Sequence, residues 1–139
     1  MRPSDGDRTS AGYSGTPLPA KLGIKPGDVV GLVGAPRDFS LTLGDLPPGV
    51  TLRFGARGTC SALIWFVRSQ AELEKNIKRF AARASHAHPW IAWQKGKRRV
   101  SPDEKSVRKA ALAAGLVDFK ICAFDGAWSG LRFALRKAI

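Results

Sequence analysis

Apolar residues occur along the chain in short runs that are separated by glycine- and proline-containing turns. Six of these runs have the pattern of β-strands: Val29–Val33 and residues 50–54, 62–67, 89–93, 117–124 and 131–135. The runs at Val29–Val33 and 62–67 are continuously apolar, which predicts strands covered on both faces, as in a parallel sheet. Residues 117–124 and 131–135 alternate with a period of two, which predicts a terminal antiparallel pair.

Two further segments have the period of amphipathic helices. After Ser69, which has Glu72 three residues later as in a capping box, apolar residues recur at helical spacing. The second helix is predicted to begin with Ser101 as its cap and Pro102 at its first position, and to stop at Gly115. Shorter helices are predicted before the first strand and within residues 39–46.

The order of these elements predicts a fold. Strand, helix, strand, strand, helix, strand, helix, strand, strand is typical of a mostly parallel sheet with helices on both faces. We therefore expect an α/β protein of Rossmann-like type, a three-layer sandwich whose sheet ends in a C-terminal antiparallel strand pair. Trp128 and Ser129 are placed in the loop of that last hairpin.

Length and composition favour one domain. A chain of 139 residues with 44% apolar residues can fill a single core, which we expect over residues 12–139. Residues 1–11 are rich in polar residues and glycine, and are predicted to be a disordered tail. Since no apolar run is long enough for a membrane span or a signal peptide, we expect a cytoplasmic protein without membrane contact. The oligomeric state is left open.

The net charge of the chain indicates which kinds of partner it attracts. Lysine and arginine number 23 against 11 acidic residues, a net charge of +12. Residues 1–70 carry 8 basic and 5 acidic residues, a net of +3, and residues 71–139 carry 15 and 6, a net of +9. Such a field attracts nucleic acid, another polyanion or a small anionic ligand. A basic surface that only maintains solubility is the competing interpretation.

Three motifs resemble a known family. They are GYSGTPL at 12–18 with KLGIK at 21–25, FVRS at 66–69 with AEL at 71–73, and GLVD at 115–118 with WSGL at 128–131. In this order they resemble the bacterial family catalogued as domain of unknown function 3052, which brings no activity, cofactor or site residue to carry over. The segment 95–99 is more basic here than in that family. The layout also resembles a shortened S-adenosylmethionine-dependent methyltransferase core, which is an analogy of fold alone.

The turn after the first strand is the candidate cofactor site. Gly34, Ala35 and Arg37 follow that strand, at the edge where open α/β sheets bind ligands and where anions are favoured. A nucleoside cofactor also needs an acidic residue after the second strand, and none lies between Thr51 and Ile64. The cofactor is therefore unknown, and a small anion or a plain structural turn both fit these residues.

A basic loop with nearby tryptophans is the candidate nucleic-acid site. It consists of Lys95, Lys97, Arg98 and Arg99, with Trp90 and Trp93 upstream and Arg132 on the last strand. Cations beside flat aromatic rings can hold single-stranded nucleic acid. However, Trp90 and Trp93 are three residues apart and would point to opposite faces of a strand, which favours two core tryptophans.

The remaining reactive residues do not form a recognisable catalytic or metal site. His86 and His88 lack a third and fourth ligand nearby, so no metal is expected. Cys60 and Cys122 lie in or beside apolar runs, which favours buried, reduced thiols. Ser129 has no glycine-serine elbow around it, and Trp128 beside it either packs at the sheet edge or contributes to a basic face.

Three hypotheses follow. The first is a non-enzymatic Rossmann-like binding or regulatory module whose anionic ligand contacts the basic second half of the chain. The second is a methyltransferase-like protein that uses S-adenosylmethionine through an atypical turn. The third is a nucleic-acid-binding protein that uses the loop at residues 95–99.

Overall fold

The computed structural model describes residues 16–55, 58–84, 88–96 and 102–136. The predicted tail at residues 1–11 lies outside these ranges. The helices are α1 (Leu18–Lys21), α2 (Phe39–Leu43), α3 (Gln70–Ala81) and α4 (Glu104–Ala113). The strands are β1 (Val29–Val33), β2 (Thr51–Phe54), β3 (Ala62–Phe66), β4 (Trp90–Gln94), β5 (Leu116–Ala123) and β6 (Trp128–Leu135).

The six strands form one sheet in the order β2-β1-β3-β4-β6-β5. The first four strands are parallel, with Val30 opposite both Leu52 and Ala62. Strand β6 is antiparallel to β4 and to β5. The predicted fold class, a Rossmann-like, mostly parallel sheet with a terminal antiparallel pair, is therefore confirmed.

One boundary was predicted wrongly at the end of the chain. Trp128 and Ser129 belong to β6, where they pair with Gln94 and Trp93 of β4, and are not in the hairpin loop. The extra pairing with β4 extends the strand by three residues beyond the alternating pattern from which it was predicted. The turn residue Asp125 closes the hairpin instead, because its carboxylate accepts from the backbone N–H groups of Ala127 and Trp128 at 2.8 and 2.9 Å.

Two apolar cores lie on the two faces of the sheet. Helices α3 and α4 cover one face through residues such as Leu73 and Val107. Helices α1 and α2 cover the other, where Phe39 packs with sheet residues such as Phe66. Successive residues of the buried strand β3 alternate between these two cores, as expected for a central strand.

Helix α3 starts as predicted. Its cap is Ser69, whose hydroxyl accepts from the Glu72 N–H at 3.0 Å. The Glu72 carboxylate in turn accepts from the backbone N–H of Arg68 at 3.0 Å. These reciprocal bonds satisfy donors that the helix cannot pair internally, and they fix where β3 turns into α3.

Helix α4 begins two residues later than expected. Asp103 is its cap, and its carboxylate accepts from the Ser106 N–H at 2.8 Å. The predicted cap, Ser101, lies outside the described residues. Aspartate and serine are both preferred cap residues, because their side chains accept a hydrogen bond from an N–H of the first turn. Asp103 and Ser101 were therefore equally good candidates in the sequence.

Replacing Asp103 with alanine is expected to lower the free energy of unfolding by about 1 kcal/mol at neutral pH, and Asp103→Asn by much less. The hydrogen bond from the Ser106 backbone lowers the pKa of Asp103 in the folded protein. The charge of the carboxylate therefore adds stability above its unfolded pKa, and this part is lost as pH falls through the folded pKa. Urea unfolding over a pH series checks it: the difference between wild type and Asp103→Ala should shrink in acid, where wild type should approach Asp103→Asn. A constant difference at every pH would contradict this account.

Both cysteines are buried and free, as expected. Cys60 packs over β1 so closely that a β-carbon at Gly31 would lie 2.7 Å from its sulfur. Burial raises the pKa of the Cys122 thiol. Among the described residues, none of the helices is long and apolar enough to cross a bilayer.

Candidate functional site

The strand order defines a switch point between β1 and β3. Connections from these neighbouring strands run in opposite directions along the sheet, and the crevice at their carboxyl ends is where open α/β folds take ligands. Gly34 follows β1 and Arg68 follows β3. The predicted cofactor-site residues Gly34, Ala35 and Arg37 therefore lie at this edge, with Gly34 and Arg37 exposed.

Arg68 bridges the switch point. Its Nη1 donates to the carbonyl oxygen of Gly34 at 2.5 Å, and its guanidinium lies 5.2 Å from the ring centroid of Trp128. Gly34 has a φ of +72°, and a β-carbon there would lie 2.9 Å from the carbonyl oxygen of Phe66. Glycine is therefore needed at position 34, because the turn after β1 lies very close to the end of β3. The Arg68 side chain occupies the place where a cofactor would approach the backbone of this turn.

The second strand also lacks the chemistry of a nucleoside site. The arginine of β2, Arg53, turns to the loop before β3, where its Nη1 donates to the Thr59 carbonyl oxygen at 3.1 Å. No carboxylate is present between Thr51 and Ile64 to bind ribose hydroxyls. The edge offers the cations Arg37 and Arg68 to a small anion, and the segment after β2 supplies no carboxylate for a ribose.

The tryptophans of the predicted nucleic-acid site are core residues. Trp90 and Trp93 are only 1% and 6% exposed, and they belong to opposite faces of the sheet. Trp90 also donates from Nε1 to the Leu22 carbonyl oxygen at 3.0 Å. The hypothesis that these rings stack on bases is therefore wrong, and the core interpretation is confirmed. Trp128 is 5% exposed and packs edge-on against Phe66, so it too presents no stacking surface.

Of the cations proposed for the same site, the two that the structure describes, Lys95 and Arg132, lie at opposite ends of β4. Lys95 follows β4 at one end, whereas Arg132 pairs with Trp90 at the start of that strand. Arg132 donates to the His88 carbonyl oxygen at 3.2 Å and lies over the Phe119 ring, and burial lowers the pKa of its guanidinium. Lys97, Arg98 and Arg99 lie outside the described residues, as does His86. Within the described ranges, no three potential metal ligands cluster.

The α3–α4 face, meaning the outer surface of these two helices, carries cations that the sequence analysis did not single out. They are Lys75, Lys78 and Arg79 on α3 and Lys105 and Lys109 on α4, all exposed. Arg108 forms ion pairs with Glu104 at 2.8 Å and with Asp118 at 3.3 Å. Residues 75–83 and 105–113 contain no carboxylate. The five exposed cations of this face therefore outnumber the carboxylates at the starts of the two helices.

One end of the α3–α4 face contains a hollow of about 410 Å³. We call it the arginine hollow; it is lined by Gly58, Thr59, Cys60, Leu63, Arg79, Ala82 and Arg83. Because α3 runs antiparallel to β3, its last residues return to the amino end of that strand, opposite the switch point. The hollow lies between the loop before β3 and the end of α3, which follows β3. Residues so far apart along the chain share no periodic pattern, so the sequence could not reveal it.

Comparisons with known proteins bear on the fold. No family model and no curated protein sequence matches the chain. Among solved structures, the chain is similar to a protein of the NADB-Rossmann superfamily from Streptococcus agalactiae, with a TM-score of 0.52 and 10% identity over 91% of this chain and 71% of that one. It is also similar to a protein from Thermoplasma acidophilum, provisionally described as a methyltransferase, with a TM-score of 0.47 and 10% identity over 82% and 70% of the two chains.

The first of these similarities supports the Rossmann-like fold and nothing finer, because the identity is far too low to carry a site or an activity. The resemblance to the domain of unknown function 3052 stays a prediction. The expectation that the protein contacts nucleic acid or another anion also stays a prediction.

Proposed function

We propose that this protein is a non-enzymatic Rossmann-like binding module whose ligand is anionic and binds the α3–α4 face. The observation that carries the proposal is the row of exposed, unpaired cations on α3 and α4, in segments that contain no carboxylate. Lysine and arginine on a single face attract a negatively charged ligand and release its counterions when it binds.

The local carboxylates support this location because each has another role. Glu72 and Asp103 cap the two helices, and Glu104 pairs with Arg108. Glu74 accepts from the side-chain amide of Gln70 at 2.8 Å. Glu72, Asp103 and Glu104 lie at the starts of the two helices and Glu74 lies in the second turn of α3, so from residue 75 of α3 and residue 105 of α4 onward the charged side chains are all cations.

A binding role agrees better than catalysis with the groups at hand. The α3–α4 face offers guanidinium and ammonium groups, which hold anions but do not act as bases at neutral pH. His88 is the one histidine in the described ranges. Its ring packs against Phe119 of β5, away from the α3–α4 face.

Fluorescence-anisotropy titration of labelled single-stranded and duplex oligonucleotides tests the proposal. At about 50 mM salt we expect a Kd near or below about 1 µM, and at about 200 mM salt we expect binding about a hundredfold weaker, as for roughly four phosphate contacts. The oligonucleotide serves as a polyanion probe, and dependence on its sequence would assign a nucleic-acid role. Binding that is weak at low salt, or insensitive to salt, would contradict the proposal.

A second candidate is a methyltransferase-like protein that binds S-adenosylmethionine. The strand order favours it, since an antiparallel strand inserted beside β4 is also the arrangement of that core. Arg68 across Gly34 and the missing carboxylate after β2 weigh against it. Calorimetric titration with S-adenosylmethionine decides: saturable heat that Arg68→Ala changes would favour this candidate, and no heat at high concentration would exclude it.

A further inference from the structure

We propose that the arginine hollow is a specific binding site for the phosphate group of an organic phosphate ester. This inference rests on the proposed function, because it assigns one defined binding point to a face that attracts anions in general. The hollow is formed by the loop at residues 58–60, the start of β3 and the last turn of α3.

Two guanidinium groups line the hollow without a carboxylate partner. Arg79 is exposed and makes no hydrogen bond or ion pair within the described part of the chain. Arg83 donates from Nη2 to the Gly58 carbonyl oxygen at 2.7 Å, which leaves four of its five N–H donors unused. No acidic side chain is among the lining residues. Two positive charges therefore match the charge of a phosphate monoester, which is close to −2 at neutral pH.

The size and lining of the hollow indicate an organic ester rather than a free ion. A volume of about 410 Å³ lies in the range of small-molecule sites and exceeds what one phosphate group fills. Leu63 and Ala82 offer apolar surface to the body of the ligand, and Thr59 adds a hydroxyl group. Guanidinium groups bind phosphate oxygens in pairs, which gives the site its preference for phosphate.

Two structural effects compete with this interpretation. The carboxyl end of α3 carries a partial negative charge of about half a unit, which two guanidinium groups outweigh. Arg53 and Arg83 also hold the loop by donating to the carbonyl oxygens of Thr59 and Gly58. That role accounts for Arg53 and Arg83, but it leaves Arg79 without a structural contact.

The test is an NMR titration of the full chain with phenyl phosphate, followed by amide shifts. We expect saturable shifts at Gly58, Thr59 and Cys60, and an affinity that falls about tenfold or more in Arg79→Gln, since a charged hydrogen-bond donor is lost. Arg79→Lys keeps the charge but not the planar fork, and is expected to lie between the two. The matched control is Lys25→Gln, which removes one positive charge from an exposed side chain outside the α3–α4 face and should bind within twofold of wild type.

A second arm identifies the source of the phosphate group. If a 5′-phosphorylated oligonucleotide binds more tightly than its 5′-hydroxyl counterpart, and Arg79→Gln removes that preference, the hollow takes a nucleic-acid end. If phenyl phosphate binds without any 5′-phosphate preference, the hollow takes a small metabolite. Both outcomes support the site.

Absence of shifts at residues 58–60, or equal losses in Arg79→Gln and Lys25→Gln, would overturn the inference. That failure is distinguishable from failure of the proposed function. If oligonucleotides bind with salt dependence but phenyl phosphate does not bind, only the proposal for the hollow fails. If phenyl phosphate binds but oligonucleotides do not, only the proposal for the wider α3–α4 face fails.

Discussion

Replacing Phe66 with alanine is expected to lower the free energy of unfolding by about 3–5 kcal/mol, the largest stability effect we predict for a single substitution. Phe66 is fully buried at the end of β3. Its ring lies edge-on to Phe39 at 4.8 Å, to Trp128 at 5.1 Å and to Phe124 at 6.0 Å, measured between ring centroids. These three rings come from α2, β6 and the hairpin, so no single element can move to fill the cavity.

Urea unfolding followed by circular dichroism measures this effect. The matched control is Leu41→Ala on α2, because Leu41 is 81% exposed and its replacement should change the free energy of unfolding by less than about 0.5 kcal/mol. A loss below about 1.5 kcal/mol for Phe66→Ala would contradict this account, because it would show that the ring contacts of Phe66 contribute little to stability.

Reversing two charges on the α3–α4 face is expected to have the largest effect on binding. In Lys78→Glu/Lys109→Glu, oligonucleotide affinity at low salt should fall on the order of a hundredfold. Each cation removed takes away about one phosphate contact, so the slope of log affinity against log salt should become shallower by about 2 for duplex DNA. Both side chains are exposed and neither makes an ion pair in the described ranges, so the fold should be retained.

The control for this variant changes the net charge equally on a different surface. Lys25→Glu/Arg37→Glu alters two exposed cations near the other face of the sheet and at the switch point. We expect it to weaken binding by only about threefold, through the long-range field. Equal losses in the two variants would show that net charge alone drives association, and a larger loss in the control would place the ligand at the switch point.

The fold could be predicted from the sequence because each element carries its own local signal. The continuous apolar run at 62–67 predicted a central strand, and the alternation at 117–124 and 131–135 predicted a terminal antiparallel pair. The structure has β3 in the middle of the sheet and the β5–β6 pair at one end. Ser69 and Glu72 marked the start of α3 through bonds between near neighbours. Interactions between residues that are close together in the chain can be predicted from the sequence.

The candidate sites were harder to predict, because they depend on contacts between distant residues. Arg68 reaches Gly34 across 34 positions, and Arg83 reaches Gly58 across 25. Neither contact has a periodic or motif signal. The outward positions of α3 can be read from the sequence, since Lys75, Lys78 and Arg79 fall opposite its apolar stripe, but the cation run at residues 95–99 is denser and gives the stronger signal. Burial of Trp90 and Trp93 follows from their alternation in β4, which the spacing of three residues already suggested.

The most direct test of the central claim is to map the surface that an anionic ligand contacts on the wild-type protein. Amide chemical shifts of the uniformly labelled chain would be followed during titration with a short oligonucleotide at about 50 mM salt. We predict that the shifts concentrate on residues 75–83, which form the end of α3 and the residues just after it, on residues 105–113 of α4 and on the loop at 58–60. Shifts centred instead on Gly34, Arg37 and Arg68 would place the ligand at the switch point and contradict the account.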